Sequence, residues 1–193
     1  MPMINAVKKF TEGGIYHVYN RGVNKEDIFF QDEDFNIFLG LLGRYILGKD
    51  SLERMTTVKD YSKRINLLAF CLLKNHIHLL IKQTDKKAIS EFMHSLAISF
   101  TMKINNKYKR VGHLFQGIYK ARFINTDAEL VNVSRYIHFN PGTNKNEIIN
   151  YPFSSLKMYL SNKNEFSFVD TTVLSSLIST NNYLDSIPDS VPD

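Results

Sequence analysis

Residues 65–83 constrain the fold of this chain more than any other stretch. Ile65 to Leu73 is an apolar run of strand length, Lys74-Asn75 makes a tight turn, and His76 to Gln83 is a second strand. Together they predict an antiparallel hairpin. Strand side chains alternate faces, so His76 and His78 share one face while Ile77 and Leu79 take the other. A rise of ~3.3 Å per residue sets the two imidazoles about 6.5–7 Å apart at the backbone, close enough to converge on one cation. A buried strand gains nothing from two neighbouring histidines, so the pair marks chemistry. On its own it names a metal site and no reaction.

The flanking sequence builds a sheet around the hairpin. Gly14 to Val23 alternates and is rich in β-formers, a first strand. Phe35, Phe38, Leu39, Leu42 and Ile46 recur at helical spacing behind Asp32, a candidate N-cap, and predict an amphipathic helix. Residues 49–63 are polar and irregular, a loop. Ile89, Phe92, Met93, Leu96 and Phe100 predict a second helix over Ala88 to Tyr108, and Ile118 to Asn125 reads as a fourth strand after a Gly112–Gly117 loop. Thr126-Asp127-Ala128-Glu129 is a capping box that opens a third helix, which Pro141-Gly142 ends. The order β-α-β-β-α-β-α predicts an α+β fold, a ferredoxin-like antiparallel sheet with an added C-terminal helix. Residues 1–150 are expected to form the domain and 151–193 an accessory tail. The last dozen or so residues, with aspartates, prolines and no basic side chain, are expected to be poorly ordered.

Composition narrows the function classes. A chain of 193 residues suits one full-sized domain. Its single cysteine, Cys71, excludes a disulfide framework and a cysteine-rich zinc cage. No run approaches the ~18 apolar residues of a membrane span, and Met1 to Phe10 lacks a signal-peptide core, so a cytoplasmic protein without a membrane partner is expected. The net charge of +5 is concentrated: Lys103, Lys107, Lys109, Arg110, Lys120 and Arg122 fall between Thr101 and Arg122 with no acidic residue. Tyr108, Phe115 and Tyr119 are interleaved. Cations for phosphate with aromatic faces for bases is the mix that binds single-stranded nucleic acid. A solvated helix end with core aromatics accounts for the same run equally well.

The third helix holds the second informative feature. Leu130, Val133 and Ile137 form its buried stripe, and Tyr136 and Asn140, four residues apart, lie about 40° from each other on the edge of that stripe. A phenol and a carboxamide therefore project together, and the asparagine oxygen suits Mg²⁺ or Mn²⁺. From position alone Tyr136 also reads as a core residue with its hydroxyl in water, and Asn140 before Pro141 as a helix terminator. His138, on the other side of the helix, is expected at the surface. Spacing does not single out Tyr136 from the ten tyrosines.

Taken together these segments resemble the single-tyrosine transposases of the HUH endonuclease superfamily, the insertion-sequence and REP-associated tyrosine transposases. Asn75-His76-Ile77-His78-Leu79-Leu80 is similar to the family's histidine–hydrophobic–histidine strand with its preceding asparagine. Leu114 to Ala121 resembles the segment entering the fourth strand, and Arg135-Tyr136-Ile137-His138-Phe139-Asn140-Pro141 resembles the tyrosine helix. Tyr19-Asn20-Arg21-Gly22 fits the first strand, and Tyr151-Pro152-Phe153-Ser154-Ser155 a motif of the REP-associated branch. The likeness spans about residues 14 to 160. One departure is the stretch Gly142 to Glu147, where relatives carry arginine and glycine.

The resemblance implies a metal-dependent strand transferase acting on single-stranded DNA at hairpin-flanked, REP-like sites. In that family the tyrosine is the nucleophile and the polar residue four positions later is a ligand. Carried over, Tyr136 is the catalytic residue, and His76, His78 and Asn140 hold Mg²⁺ or Mn²⁺. Asn20, Arg21, Lys109, Arg110, Gln116, Lys120 and Arg122 are candidate DNA contacts. Family members include monomers and dimers, so a homodimer is left open. Two other readings compete: a domesticated hairpin-binding protein that does not cut, and an unrelated two-histidine oxygenase. The second needs a carboxylate on the His76/His78 face, and no Asp or Glu is an obvious candidate.

Overall fold

A computed structural model describes residues 10–48, 59–161 and 165–187. The N-terminal nine residues, most of the loop expected at 49–63 and the end of the expected tail lie outside them. Four strands, β1 (Ile15–Arg21), β2 (Ile65–Leu73), β3 (His76–Gln83) and β4 (Lys120–Ile124), form one antiparallel sheet in the order β2-β3-β1-β4. The long helices are α1 (Asp32–Leu47), α2 (Ala88–Tyr108) and α3 (Asp127–Phe139). Four short ones follow: α4 (Lys145–Asn150), α5 (Leu156–Leu160), α6 (Thr172–Leu177) and α7 (Thr180–Asp185). The expected ferredoxin-like order is present, and none of the helices among the described residues is long and apolar enough to cross a membrane.

Pleating divides the sheet into two chemically different faces. Tyr16, Val18, Ile77, Leu79 and Ile81 point to one side and pack with Phe35, Phe38 and Leu42 of α1 and Phe92, Leu96 and Phe100 of α2. On the other side Ala69, Cys71, Leu80 and Ile124 pack with Leu130, Val133 and Ile137 of α3. The histidine face is therefore the α3 face. Cross-strand register sets Tyr19 of β1 and Cys71 of β2 on either side of His78, and Arg21 and Leu73 on either side of His76.

The N-terminus of α1 differs from expectation by one residue. Gln31 is the N-cap and Asp32 the first helical residue, because the Asp34 carboxylate reaches back to accept from the N–H groups of Phe30 (2.8 Å) and Gln31 (3.0 Å). Asp34 is fully buried and also accepts from Lys107 Nζ (2.8 Å) and Tyr108 Oη (2.9 Å), which clamps α1 to the end of α2. These bonds remove Lys107 and Tyr108 from the basic, aromatic mix suggested for nucleic acid. Phe115 and Tyr119 are likewise core residues, at 8% and 9% exposure.

Residues beyond 150 do more than the expected accessory tail. As the outer strand, β2 presents an unpaired edge, and this segment covers it. Leu72 N–H donates to Phe153 O (2.9 Å), Ser155 N–H to Phe70 O (3.1 Å) and Asp170 N–H to Leu67 O (2.8 Å). Within the stretch expected to be poorly ordered, Tyr183 and Ile187 are buried, and 188–193 lie outside the described residues. His138 is a correction of the same origin. Expected at the surface, it is fully buried, with Nδ1 2.7 Å from Tyr183 Oη and Nε2 2.8 Å from Ser155 Oγ. Tyr183 Oη in turn donates to Ser134 Oγ (2.9 Å). The positions 134 and 138 form a second, polar buried stripe on α3 that only the distant C-terminal segment could cover.

The Asp34 cluster yields a stability test. Burial opposes the carboxylate, but the bonds from Lys107, Phe30, Tyr108 and Gln31 outweigh it and hold its pKa below the ordinary range. Its folded pKa is thus below its unfolded one, so its stabilisation is full above the unfolded value of about 3.9 and is lost as pH falls through the folded value. Asp34→Asn should cost about 2–3 kcal/mol at pH 7 in chemical denaturation, the scale of hydrogen bonds to a charged group. The gap to wild type should narrow on acidification. A gap that is absent at pH 7 contradicts this assignment.

Candidate active site

The turn before β3 is docked before any side chain of the site is considered. Gly22, at the end of β1, donates its N–H to Asn75 O (2.8 Å). A Cβ at that position would meet Glu26 O at 2.0 Å, so only glycine lets the chain fold back over residues 22–26. Asn75 Nδ2 donates to Lys25 O (3.2 Å), which fixes the amide and turns Oδ1 to His76 Nδ1 at 2.6 Å. His76 Nδ1 carries the proton of that bond, and Nε2 keeps its lone pair. That nitrogen faces Asn140 Oδ1 at 3.3 Å. Asn140 is the C-cap of α3, where the end of the helix meets the end of β3.

The second histidine is engaged in a similar manner. His78 Nδ1 lies 2.8 Å from His17 Nε2 on the neighbouring strand, and the two rings stack at 5.1 Å. His78 Nε2 is buried and has no hydrogen-bond partner. Tyr136, 55% exposed, sets its ring edge-on to both, 5.6 Å from His78 and 5.9 Å from His17. The rings of His76 and His78 are 4.9 Å apart. The structure therefore brings His76, His78, Tyr136 and Asn140 together, from β3 and the last two turns of α3.

Electrostatics keep the imidazoles neutral. Burial pushes the pKa of His78 down to about 3, with His17 and His76 adding to the effect. Burial and the nearby Arg122 lower His17 to about 4. His76 is lowered mainly by burial, against the contact with Asn140, with Arg21 lowering it further. Neutral rings keep lone pairs, which is what a cation requires. A buried imidazole nitrogen without a partner and a facing amide oxygen fit a divalent ion. Two histidines and an asparagine could be its donors; among the described residues there is no cluster of three or more His, Cys, Asp or Glu side chains suited to a metal.

A groove of ≈ 1780 Å³ opens beside this cluster, and Asn20, Arg21, Gln116, Lys120 and Arg122 are among its lining. Arg21 Nε donates to Gln116 Oε1 (2.6 Å), and Asn20 Nδ2 to Gly117 O (3.3 Å), so the loop before β4 is held to the end of β1. Lys120 Nζ stands 6.0 Å over the Tyr19 ring. Arg122 is paired with Glu129 at the start of α3. Lys109 and Arg110 do not line the groove. They sit at the end of α2, with the Arg110 guanidinium 5.4 Å over the Phe30 ring. Sequence reasoning missed His17, although its alternation with Tyr19 placed it on the strand face that register brings beside His78.

A family model described as IS200-like transposase matches residues 46–140, from the end of α1 to Asn140. Over that stretch, just under half of the chain, the sequence is similar to the IS200-like transposases. No curated protein matches its sequence. The fold is similar to that of a REP-associated tyrosine transposase solved bound to a REP hairpin, at TM-score 0.55 and 12% identity over 81% of this chain and 85% of that one. A looser likeness, at TM-score 0.42 and 16% identity over 71% of this chain and 95% of the other, is to a candidate transposase of Deinococcus radiodurans R1. That score is too low to add to the argument. The matched region holds His76, His78 and Tyr136 and ends on Asn140.

The neutral imidazoles give a pH test. Free imidazole titrates near 6.5, so in the metal-free chain the NMR signals of His17 and His78 should stay unmoved between about pH 5.5 and 7.5. Unfolded histidines bind protons in that range and these folded ones do not. Stability should therefore fall with falling pH, by up to about 1.4 kcal/mol per unit for each imidazole. A midpoint near 6.5 for either ring contradicts the burial argument.

Proposed function

We propose that this chain is a strand transferase that cleaves and rejoins single-stranded DNA at hairpin-flanked sites, with Tyr136 as the nucleophile. One observation carries the reading. His76 Nε2 lies 3.3 Å from Asn140 Oδ1, the His76 and His78 rings are 4.9 Å apart, and the exposed Tyr136 ring stands edge-on to His78 at 5.6 Å. His76, His78 and Asn140 would hold Mg²⁺ or Mn²⁺, which when bound supplies positive charge against a phosphate.

The chain's own residues account for the rest. Tyr136 Oη forms a bond to phosphorus as the bond from phosphorus to the 3′ oxygen breaks. The phenol proton passes to solvent, which is accessible at this half-exposed side chain, and the 3′ oxygen leaves as a hydroxyl after taking up a proton. A 5′-phosphotyrosine results, and attack by the same or another 3′ hydroxyl reverses the step without ATP. Arg21, braced by Gln116, and Lys120 line the groove where flanking phosphates would lie. Hairpin DNA is the favoured substrate because the similar fold was solved with a REP hairpin.

Incubation of the chain with labelled hairpin oligonucleotides and Mn²⁺ should give a denaturation-resistant shift that needs the metal. Tyr136→Phe should lose the shift by 10³-fold or more, on the order expected when a covalent nucleophile is removed, while still binding the oligonucleotide in a salt-dependent way. A shift that persists in Tyr136→Phe sinks the nucleophile assignment. Binding with no adduct under any divalent metal favours the non-cleaving alternative.

A further inference from the structure

The two histidines of β3 are alike in one respect that the metal reading alone does not explain. Each has its Nδ1 occupied by a neighbour, which leaves Nε2 as the nitrogen available to an ion. For His76 the neighbour is Asn75 Oδ1 at 2.6 Å, itself fixed through Lys25 O. For His78 it is His17 Nε2 at 2.8 Å, from the adjacent strand. Both His17 and His78 are buried, at 7% and 5% exposure, so water does not compete for the contact.

We infer that His17 is a positioning residue that fixes the tautomer and ring orientation of His78 for ligation. A neutral imidazole has one N–H and one lone pair, so a bond between His17 Nε2 and His78 Nδ1 has two forms. If His78 Nδ1 donates, His78 Nε2 bears the lone pair and can ligate. If His17 Nε2 donates, His78 must carry its proton on Nε2, a buried donor with no acceptor in reach. Either form leaves Nε2 without a protein partner, but only the first presents a lone pair to an arriving ion, so the His17 contact in that form is the one that prepares His78 to ligate. His17 therefore acts as the acceptor, with its own proton on Nδ1. Its ring also stacks on His78 at 5.1 Å and, on the side of β1, lies 5.0 Å from Tyr19, which limits rotation of both imidazoles. Such outer partners of ligating histidines commonly matter 10–100-fold for metal affinity.

This inference rests on the metal reading above, and the test separates the two. Mn²⁺ alone, without DNA, is titrated into the full chain and read by electron paramagnetic resonance and calorimetry. His17→Phe, which keeps a flat apolar ring but removes the acceptor, should weaken Mn²⁺ binding 10–100-fold with a near-wild-type circular dichroism spectrum. His17→Gln, whose side-chain oxygen can accept from His78 Nδ1, should recover most of the loss. Long-range ¹⁵N–¹H NMR of the metal-free wild type should show His78 protonated at Nδ1, a readout that does not depend on any variant folding. Wild-type affinity in His17→Phe, or a His78 protonated at Nε2, overturns the role of His17 while leaving the metal reading standing. A wild-type chain that does not bind Mn²⁺ overturns both.

Discussion

The docking of α3 across the histidine face of the sheet is the contact on which every feature of the site depends. Leu130, Val133 and Ile137 sink into Ala69, Cys71, Leu80 and Ile124, and each buried aliphatic side chain is worth roughly 1.5–3 kcal/mol. That is enough to fix the helix, yet it uses only one stripe. The next position around the axis takes Tyr136 and Asn140 to the ends of His76 and His78, and the opposite flank takes Ser134 and His138 to the C-terminal segment. One thirteen-residue helix thus meets three environments, the apolar core, the histidine pair and a polar buried cluster, along three stripes of a single period.

The rigidity of this arrangement has a second source. His138 touches both Ser155 and Tyr183, and Ser155 accepts from the N–H of Phe70 in β2. The segment that closes the β2 edge therefore also braces the back of α3. A nucleophile must be held to within a fraction of an ångström of its target to react efficiently. A helix secured on both flanks by buried side chains can do that for an exposed tyrosine, whose own packing is slight.

Much of this was legible before any coordinates. Ile65–Leu73, His76–Gln83 and Ala88–Tyr108 keep the bounds that alternation and helical period predict, because each is a strongly patterned run between clear breakers. The shared face of the two histidines follows from pleating alone. What was illegible was long-range. The apolar stripe of α3 gives no sign that His138 is buried, because the polar groups that cover its flank come from Ser155 and Tyr183, far along the chain. Tyr119 and Phe115 looked like stacking platforms because charge pattern carries no information on burial. His17 sat one strand away from the motif, and register had to be known before it could be paired with His78.

The central claim is that Tyr136, and no other tyrosine, forms the bond to DNA. Its most direct measurement is tandem mass spectrometry after reaction with a hairpin oligonucleotide, nuclease trimming and trypsin digestion. Cleavage after Arg135 releases residues 136–145, in which Tyr136 is the only tyrosine. The account predicts a residual nucleotide 5′-phosphate on that peptide and on that side chain. The same mass added to a peptide bearing Tyr19 or Tyr119, with the Tyr136 peptide unmodified, would contradict it.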